Sequence, residues 1–393
     1  MSTATLHDGD VVAAVDEVLP LVRRSADEIR RSRRLTGEVE RALRAAGVYR
    51  MMLPRELGGL EVPVDTAMDV IERLSAADAS TGWCAAIGAG SNVFAGYLPR
   101  EGAAEVFADP SLPTATMFAA LGTLREDDGG PWWLEGRWPF VSNCQHVEWI
   151  GVCARVVRRN GDVEPAPRLV FIRADEVTIE DTWDTAGLQG TGSHHVRVSG
   201  VRVPPERGCE FIGVPWAQGP IWRMPVFSAI LPPLAACPLG IARGALDELA
   251  RQVRQGRQGV RRGDLANDPL AMHDIAEAEL RLESARAAAH HLGREAHDRV
   301  ARNERLEPRL LARVYLANIH AAETAVEVTA VAHRLGGGAA AYNDSPLLRA
   351  LVDVQTAHQH WQFAHDHRVH LGRVLTGVAD TYPPYITERD LVR

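Results

Sequence analysis

The 393-residue chain predicts an α+β protein in three parts: an N-terminal helical domain over residues 1–110, a middle β domain over 111–226 and a C-terminal helical bundle over 227–393. Three observations predict it. Apolar residues recur early at helical spacing, with Val15, Val18, Leu19 and Val22 on one stripe and Val39, Leu43 and Val48 on another. Short alternating segments bounded by Gly, Pro, Asn and Asp then take over, among them "WWLEGRWPF", "WIGVCARVV", "RLVFIRA" and "HHVRVSGVRVP". Beyond Phe227, three Ala-rich stretches of about 30 residues return to the helical period.

Each part carries its own expectation. The middle texture predicts six to eight strands forming a β-barrel or sandwich. The long C-terminal helices predict a four-helix-type bundle that assembles with copies of itself, as a homotetramer. Strands and helices do not alternate, which excludes a doubly wound sheet.

Composition narrows the function. Apolar residues make up 46% and charged residues 24%, ordinary values for a globular protein. The net charge of -8, without a basic block, argues against nucleic acid as a partner. All 43 basic residues are arginine, so a Schiff-base lysine, a P-loop lysine and a lysine general base are excluded. Cys84, Cys144, Cys153, Cys209 and Cys237 are scattered and odd in number, which fits reduced thiols. The acidic N-terminus lacks a signal-peptide pattern, and no stretch approaches the roughly 20 apolar residues of a membrane span, so a cytoplasmic location away from membranes is expected.

Three stretches carry possible chemistry. "GLQGTGSHHVRVSGVRVPP" holds Gly187, Gly190 and Gly192, but strand-like residues follow, so it is no dinucleotide fingerprint. It is either a tight connection or a place where backbone approaches a flat ligand, with Thr191 and Ser193 as hydrogen-bond partners. "GRWPFVSNCQHVEW" sets Trp138, Phe140 and Trp149 around Ser142, Asn143 and His146. Strand spacing puts Phe140 and Ser142 on one face, which suits either a packed core or a planar heteroaromatic ring. Finally, His358, His360, His365, His367 and His370 crowd one helical pattern, but their spacing completes no metal set. Asp353 and His360 share a face about 10 Å apart along a helix axis and could border one cavity. Spacing alone leaves each histidine either structural or catalytic.

Over residues 10–380 the chain resembles the acyl-CoA dehydrogenase superfamily, in the order of "EVERALRAAGVYRMMLPRELGGLEVP", "GRWPFVSNCQHVEWIGVCARV", "DTWDTAGLQGTGSHHVRVSGVRVPPE" and "DSPLLRALVDVQTAHQH". Within it the pattern resembles the reduced-flavin-dependent two-component monooxygenases, in particular hydroxylases of aromatic polyketide pathways. The "YEG(T/S)" context of the dehydrogenase glutamate is missing, and the only late glutamate is Glu388. The resemblance implies an acyl-CoA dehydrogenase-like fold and a separate reductase that supplies FMNH2 or FADH2. It also implies molecular oxygen as co-substrate and hydroxylation of a small aromatic molecule through a C4a-hydroperoxyflavin. His360 would face flavin and substrate, accepting a phenol proton with a pKa near 6.5, and Ser142 would sit near flavin N5. Trp138 and Phe140 would wall the ring, and Arg257 would reach a flavin phosphate from a neighbouring subunit. Asn92 or Ser91 would replace an active-site histidine of some relatives. Val352 stands where the family has arginine beside Asp353. An N-oxygenase acting on an amine or amino sugar, an acyl-CoA dehydrogenase-like oxidoreductase and a non-catalytic member of the fold are the alternatives.

Overall fold

The computed structural model describes residues 8–126, 130–256, 258–259 and 263–379. The first helices are α1 (Asp8–Ser32), α2 (Gly37–Ala45), α3 (Val64–Ala77), α4 (Ala79–Ser91) and α5 (Arg100–Val106). Val15 and Val22 of the first stripe are fully buried, as are Val39, Leu43 and Val48 of the second. Helix α2 begins at an N-cap, where the Thr36 hydroxyl accepts from the Val39 amide. Helix α4 begins the same way on Asp78, which accepts from the Thr81 amide at 2.8 Å and from its hydroxyl at 2.7 Å.

Seven strands follow: β1 (Ala115–Arg125), β2 (Trp132–Val141), β3 (Trp149–Val157), β4 (Arg168–Arg173), β5 (Thr178–Glu180), β6 (His194–Val203) and β7 (Gly208–Glu210). They form one mixed sheet in the order β5-β6-β2-β1-β3-β4-β7, in which β1 and β3 run parallel. The barrel-or-sandwich expectation therefore resolves into a single mixed sheet in which β3 and β4 are buried on both faces, while β2 and β6 each keep one exposed face. Along β4, Leu169 and Phe171 join the core shared with the helices, while Val170 and Ile172 join a second core made only from this region.

Trp138 belongs to that second core. Its ring lies across Gly122 and Gly136, where a Cβ would come within 2.1 and 2.7 Å of it. Its indole N–H donates to the Cys153 carbonyl at 2.8 Å. The expectation that Trp138 walls a ligand is thus corrected: it is a fully buried strand-packing residue.

The C-terminal part comprises α6 (Val226–Arg254), a two-residue hairpin of β8 (Gln258–Gly259) and β9 (Gly263–Asp264), then α7 (Pro269–Ala301), α8 (Pro308–Gly336), α9 (Pro346–His358) and α10 (His367–Leu375). Helix α6 is long and apolar enough to cross a bilayer, contrary to the reading that no stretch approaches that length. Its most apolar window is instead 94% buried inside the protein, packed on α3, α8 and α9. Arg286 of α7 bridges Asp69 and Glu72 of α3 at 2.9 and 2.7 Å, tying the bundle to the N-terminal domain.

The last predicted helix is broken. Helix α9 ends at His358, His360 is extended, and residues 361–363 form one 3₁₀ turn before α10. The five histidines therefore share no helix face. His360 caps the 3₁₀ turn, His365 is exposed beside Glu323, and His367 Nε2 bonds the Trp361 carbonyl at 2.8 Å.

One contact sets α9 against the sheet domain. The Leu188 amide donates to Asp353 Oδ1 at 2.6 Å, and Asp353 is only 7% exposed. Beside it Gly187 packs so closely that a Cβ would lie 2.1 Å from the Val352 carbonyl oxygen. Asp353 thus faces the loop rather than sharing a cavity with His360, which corrects the sequence expectation. Burial raises the Asp353 carboxyl to about 7, against the pull of its bond to the Leu188 amide.

Two outcomes are expected from this contact. Asp353→Ala strands the buried Leu188 amide and lowers unfolding stability by about 1–3 kcal/mol in denaturant titration. Asp353→Asn keeps an acceptor and removes the buried charge. A raised carboxyl binds its proton more tightly when folded, so wild-type stability from this group falls as pH rises from about 4 towards 7. The melting temperature of Asp353→Asn should therefore match or exceed wild type at pH 8, with the difference shrinking towards pH 5.

Candidate active site

Helix α4 is built from small residues and is buried on nearly every side. Its bulky members and gaps, Trp83, Ile87, Gly90 and Ser91, recur at three- to four-residue spacing and open one face onto a cavity of about 340 Å³. Thr116, Met117 and Phe118 of β1 form a second wall, where the register with β3 shifts after Met117. Ile230 and Leu234 of α6 form a third. The remaining wall comes from the end of α9 and the break after it, with Thr356, Gln359, His360, Trp361 and Gln362. All three parts of the chain meet here.

Phe140 and Ser142 both reach the cavity, as spacing predicts, but not through simple alternation. The β2–β6 register shifts between Trp138 and Val141, and Phe140 is left-handed at φ 61°. Asn143 at φ 65° and Leu188 at φ 50° share that strained conformation. Three left-handed residues without glycine's freedom thus stand beside one hydroxyl, and such strain persists only where surroundings impose it. Phe140 is 59% exposed at the rim, edge-on to Trp183.

The Ser142 hydroxyl is the start of a polar row. Trp83 Nε1 donates to Ser142 Oγ at 3.1 Å, and Ser142 Oγ lies 2.7 Å from Ser193 Oγ. Ser193 Oγ lies 2.7 Å from Thr191 Oγ1, which donates to the Leu188 carbonyl at 2.9 Å. Ser193 lines the cavity, whereas Thr191 lies behind it, so of these two expected ligand contacts only Ser193 can touch a ligand directly.

Asn92 does not reach the cavity. Its amide donates to the Tyr49 and Leu112 carbonyls, and its oxygen accepts from Thr114, so it is a strut between helix and loop. Ser91 lines the cavity in its place, 2.7 Å from the Thr116 hydroxyl. Asn143 is buried and His146 half-buried, both away from the lining, and Trp149 packs in the core shared with the helices. Arg257 and Glu388 lie outside the described residues.

His360 lines the cavity with its ring edge-on to Trp83 at 5.6 Å. Its Nδ1 accepts from the Gln362 amide at 3.4 Å, which leaves the proton of the neutral ring on Nε2. Burial pushes the imidazole down to about 4, so the value near 6.5 expected from sequence is corrected. Gln362 is 4% exposed and its Oε1 has no hydrogen-bond partner. Behind this wall Phe94, Phe118, Phe227 and Trp361 touch in sequence at centroid distances of 5.3, 5.9 and 5.6 Å, joining all three parts of the chain.

Among the described residues the lining contains no Asp, Glu or Arg. Its polar groups are hydroxyls, two carboxamides and a neutral imidazole, set among the rings of Trp83, Phe118, Phe140, Trp183 and Trp361. This donor and acceptor set fits a flat, largely uncharged heteroaromatic system such as an isoalloxazine: stacking surface for its faces, and for its N–H edge an unpartnered buried acceptor in Gln362 Oε1. Sequence reasoning missed Trp83, Phe118, Trp183 and Gln362. For Trp83 a signal was present, since a lone large ring in a helix of Gly, Ala, Ser and Cys must fill a gap its neighbours leave.

Residues 12–108 match the acyl-CoA dehydrogenase N-terminal domain family, and residues 233–365 the acyl-CoA dehydrogenase C-terminal domain family. The indole-3-acetate monooxygenase of Pseudomonas putida is 36% identical over 337 residues, 85% of each chain. The oxygenase component of the FADH2-dependent resorcinol hydroxylase of a Rhizobium species is 29% identical over 289 residues, 70% of each. Among solved structures, XiaF from a Streptomyces species, in complex with FADH2 and glycerol, superposes with a TM-score of 0.89 at 25% identity, covering 96% of this chain and 97% of that one. With relatedness on this scale over nearly the whole length, and a cavity built for a flat ring at the junction of its three parts, the chain belongs to the flavin-dependent monooxygenases of the acyl-CoA dehydrogenase superfamily.

Proposed function

We propose that this protein is the oxygenase component of a two-component system, hydroxylating a small aromatic molecule with reduced flavin and molecular oxygen. One observation carries the reading: an aromatic-lined cavity whose described lining holds no carboxylate, in which a neutral imidazole and a buried serine hydroxyl converge from opposite domains. Bound reduced flavin supplies the activation of oxygen. The chain's own part is to hold the ring, keep water out and manage hydrogen bonds at defined atoms.

Phe140 and Trp183 at the rim would cover the flavin ring, while Ser142 meets its N5 edge. Gln362 Oε1 accepts from an N–H or O–H of flavin or substrate. His360 acts through Nε2–H, as a neutral donor to a substrate oxygen. Its suppressed pKa makes orientation of a phenol oxygen its main task, since taking the phenol proton outright would form a cation that the buried site disfavours.

The acyl-CoA dehydrogenase reading fits less well, because the described lining residues offer no carboxylate to take an α-proton and Asp353 is spent on the Leu188 amide. A separate reductase is the natural electron donor, a reading supported by the resorcinol hydroxylase relative, which is named as an FADH2-dependent oxygenase component. The five free, buried cysteines support a reducing, cytoplasmic setting. Leu270 and Leu280, exposed on α7, support self-association, which we place at a homotetramer.

His360→Ala should bind reduced flavin within a few-fold of wild type and lose about 100-fold in hydroxylated product, the lower end of what a positioned hydrogen-bonding or proton-handling group contributes. Unchanged product formation from a simple phenol or indole panel removes His360 from the reaction. Phe140→Gly relieves a left-handed side chain that buries little, so its melting temperature should hold or rise, while flavin affinity falls about tenfold with the lost ring contact. A histidine whose folded pKa is depressed stabilises the fold above its unfolded value and loses that contribution as pH falls from 6.5 towards 4. His360→Gln should therefore lose less stability than wild type between pH 6.5 and 4.5.

A further inference from the structure

Each hydroxyl in the row behind the cavity has a single proton to give, and one end of the row is fixed. The Leu188 carbonyl can only accept, so Thr191 donates to it. Thr191 must then accept from Ser193, and Ser193 from Ser142. At the other end the Trp83 indole N–H can only donate, and it donates to Ser142. The row therefore runs in one direction, from Trp83 through Ser142, Ser193 and Thr191 to Leu188.

Ser142 consequently has its proton committed away from the cavity and retains one lone pair facing ligand. We propose that Thr191 and Ser193 are positioning residues that hold the Ser142 hydroxyl as an acceptor, so that the site selects the reduced over the oxidised state of a flavin. This rests on the reading of the cavity as a flavin site. Reduced flavin carries a hydrogen on N5, which that lone pair accepts; oxidised flavin presents only a lone pair there, which meets another. Reversing the row to serve oxidised flavin requires Thr191 to abandon the Leu188 carbonyl. That carbonyl keeps the Trp183 indole N–H at 2.9 Å, so reversal is feasible at the cost of about one neutral hydrogen bond. Such a cost corresponds to a preference of roughly three- to tenfold.

Thr191 lies behind the cavity wall and is 1% exposed, so changing it alters the row without altering a ligand contact. Thr191→Val keeps the shape and removes the acceptor that receives the Ser193 proton. Ser193 can then donate to Ser142, and Ser142 can turn its own proton to the cavity. The test is equilibrium binding of FMN and of dithionite-reduced FMN under nitrogen to the full chain. The ratio of the two dissociation constants, oxidised over reduced, should fall about three- to tenfold in Thr191→Val and stay near wild type in Thr191→Ser. In the midpoint potential of bound flavin a tenfold fall in that ratio reads as a drop of about 30 mV. Ser193→Ala, which breaks the row one step nearer the ligand, should shift the ratio the same way and serves if the valine variant does not fold. Binding of both redox states by Thr191→Val or Ser193→Ala with the wild-type ratio overturns the proposal while leaving the flavin site standing. Failure of wild type to bind either state overturns the flavin reading and this inference with it.

Discussion

A single buried carboxylate, held by one backbone amide, sets the two halves of the site against each other. Asp353 grips the Leu188 N–H from α9, and Gly187 lets the loop come flush against the Val352 carbonyl. Leu188 is the residue whose carbonyl ends the hydroxyl row, and α9 is the helix whose end delivers His360. A slip at this contact would move both at once. The family's arginine is Val352 here, so no cation from that position neutralises the carboxyl. Its elevated proton affinity is the consequence of holding a loop with a buried acid.

The cavity handles polarity in the opposite way. Its described lining avoids formal charge and relies on groups with fixed donor or acceptor sense: an indole N–H, a row of hydroxyls, a carboxamide oxygen and an imidazole whose Nδ1 is already engaged. In a low-dielectric space such groups stay oriented without the desolvation penalty that ions would carry. The strain in Phe140, Asn143 and Leu188 is concentrated beside Ser142, where the backbone departs from strand geometry to aim one hydroxyl inward.

How much of this was legible in the sequence varied by level. Strands β2, β3, β4 and β6 stand out because Trp, Val and Ile alternate with charged or small residues; β1 does not, because its "ATMFAALGTLR" is rich in small residues that accommodate Trp138. That accommodation is also why Trp138 reads as a ligand wall and is not one: a tryptophan beside a polar loop has the same local pattern whether a glycine floor or a ligand lies beneath it. Strand spacing pairs Phe140 with Ser142, the small-residue stretch offers Ser193, and likeness to a family singles out His360; all four line the cavity. Of the pair Asn92 or Ser91, only Ser91 lines the cavity, since the two point apart where α4 gives way to a 3₁₀ turn. The helix break after His358 left no sign, because "HQHWQF" contains neither Gly nor Pro; tertiary packing of Trp361 and Phe363 overrides the local period there.

The aromatic contact running from Phe94 through Phe118 and Phe227 to Trp361 has a consequence for assembly of the chain itself. Its members are spread from the first quarter of the sequence to residue 361, so the back wall stays incomplete until the segment carrying Trp361 has been synthesised and docked. Nascent helices and sheet can mature around an open trough, and only the arrival of residues 346–363 seals it. Any molecule that occupies the closed chamber thereby favours the fully docked chain, so cofactor supply and successful maturation of the polypeptide become thermodynamically coupled.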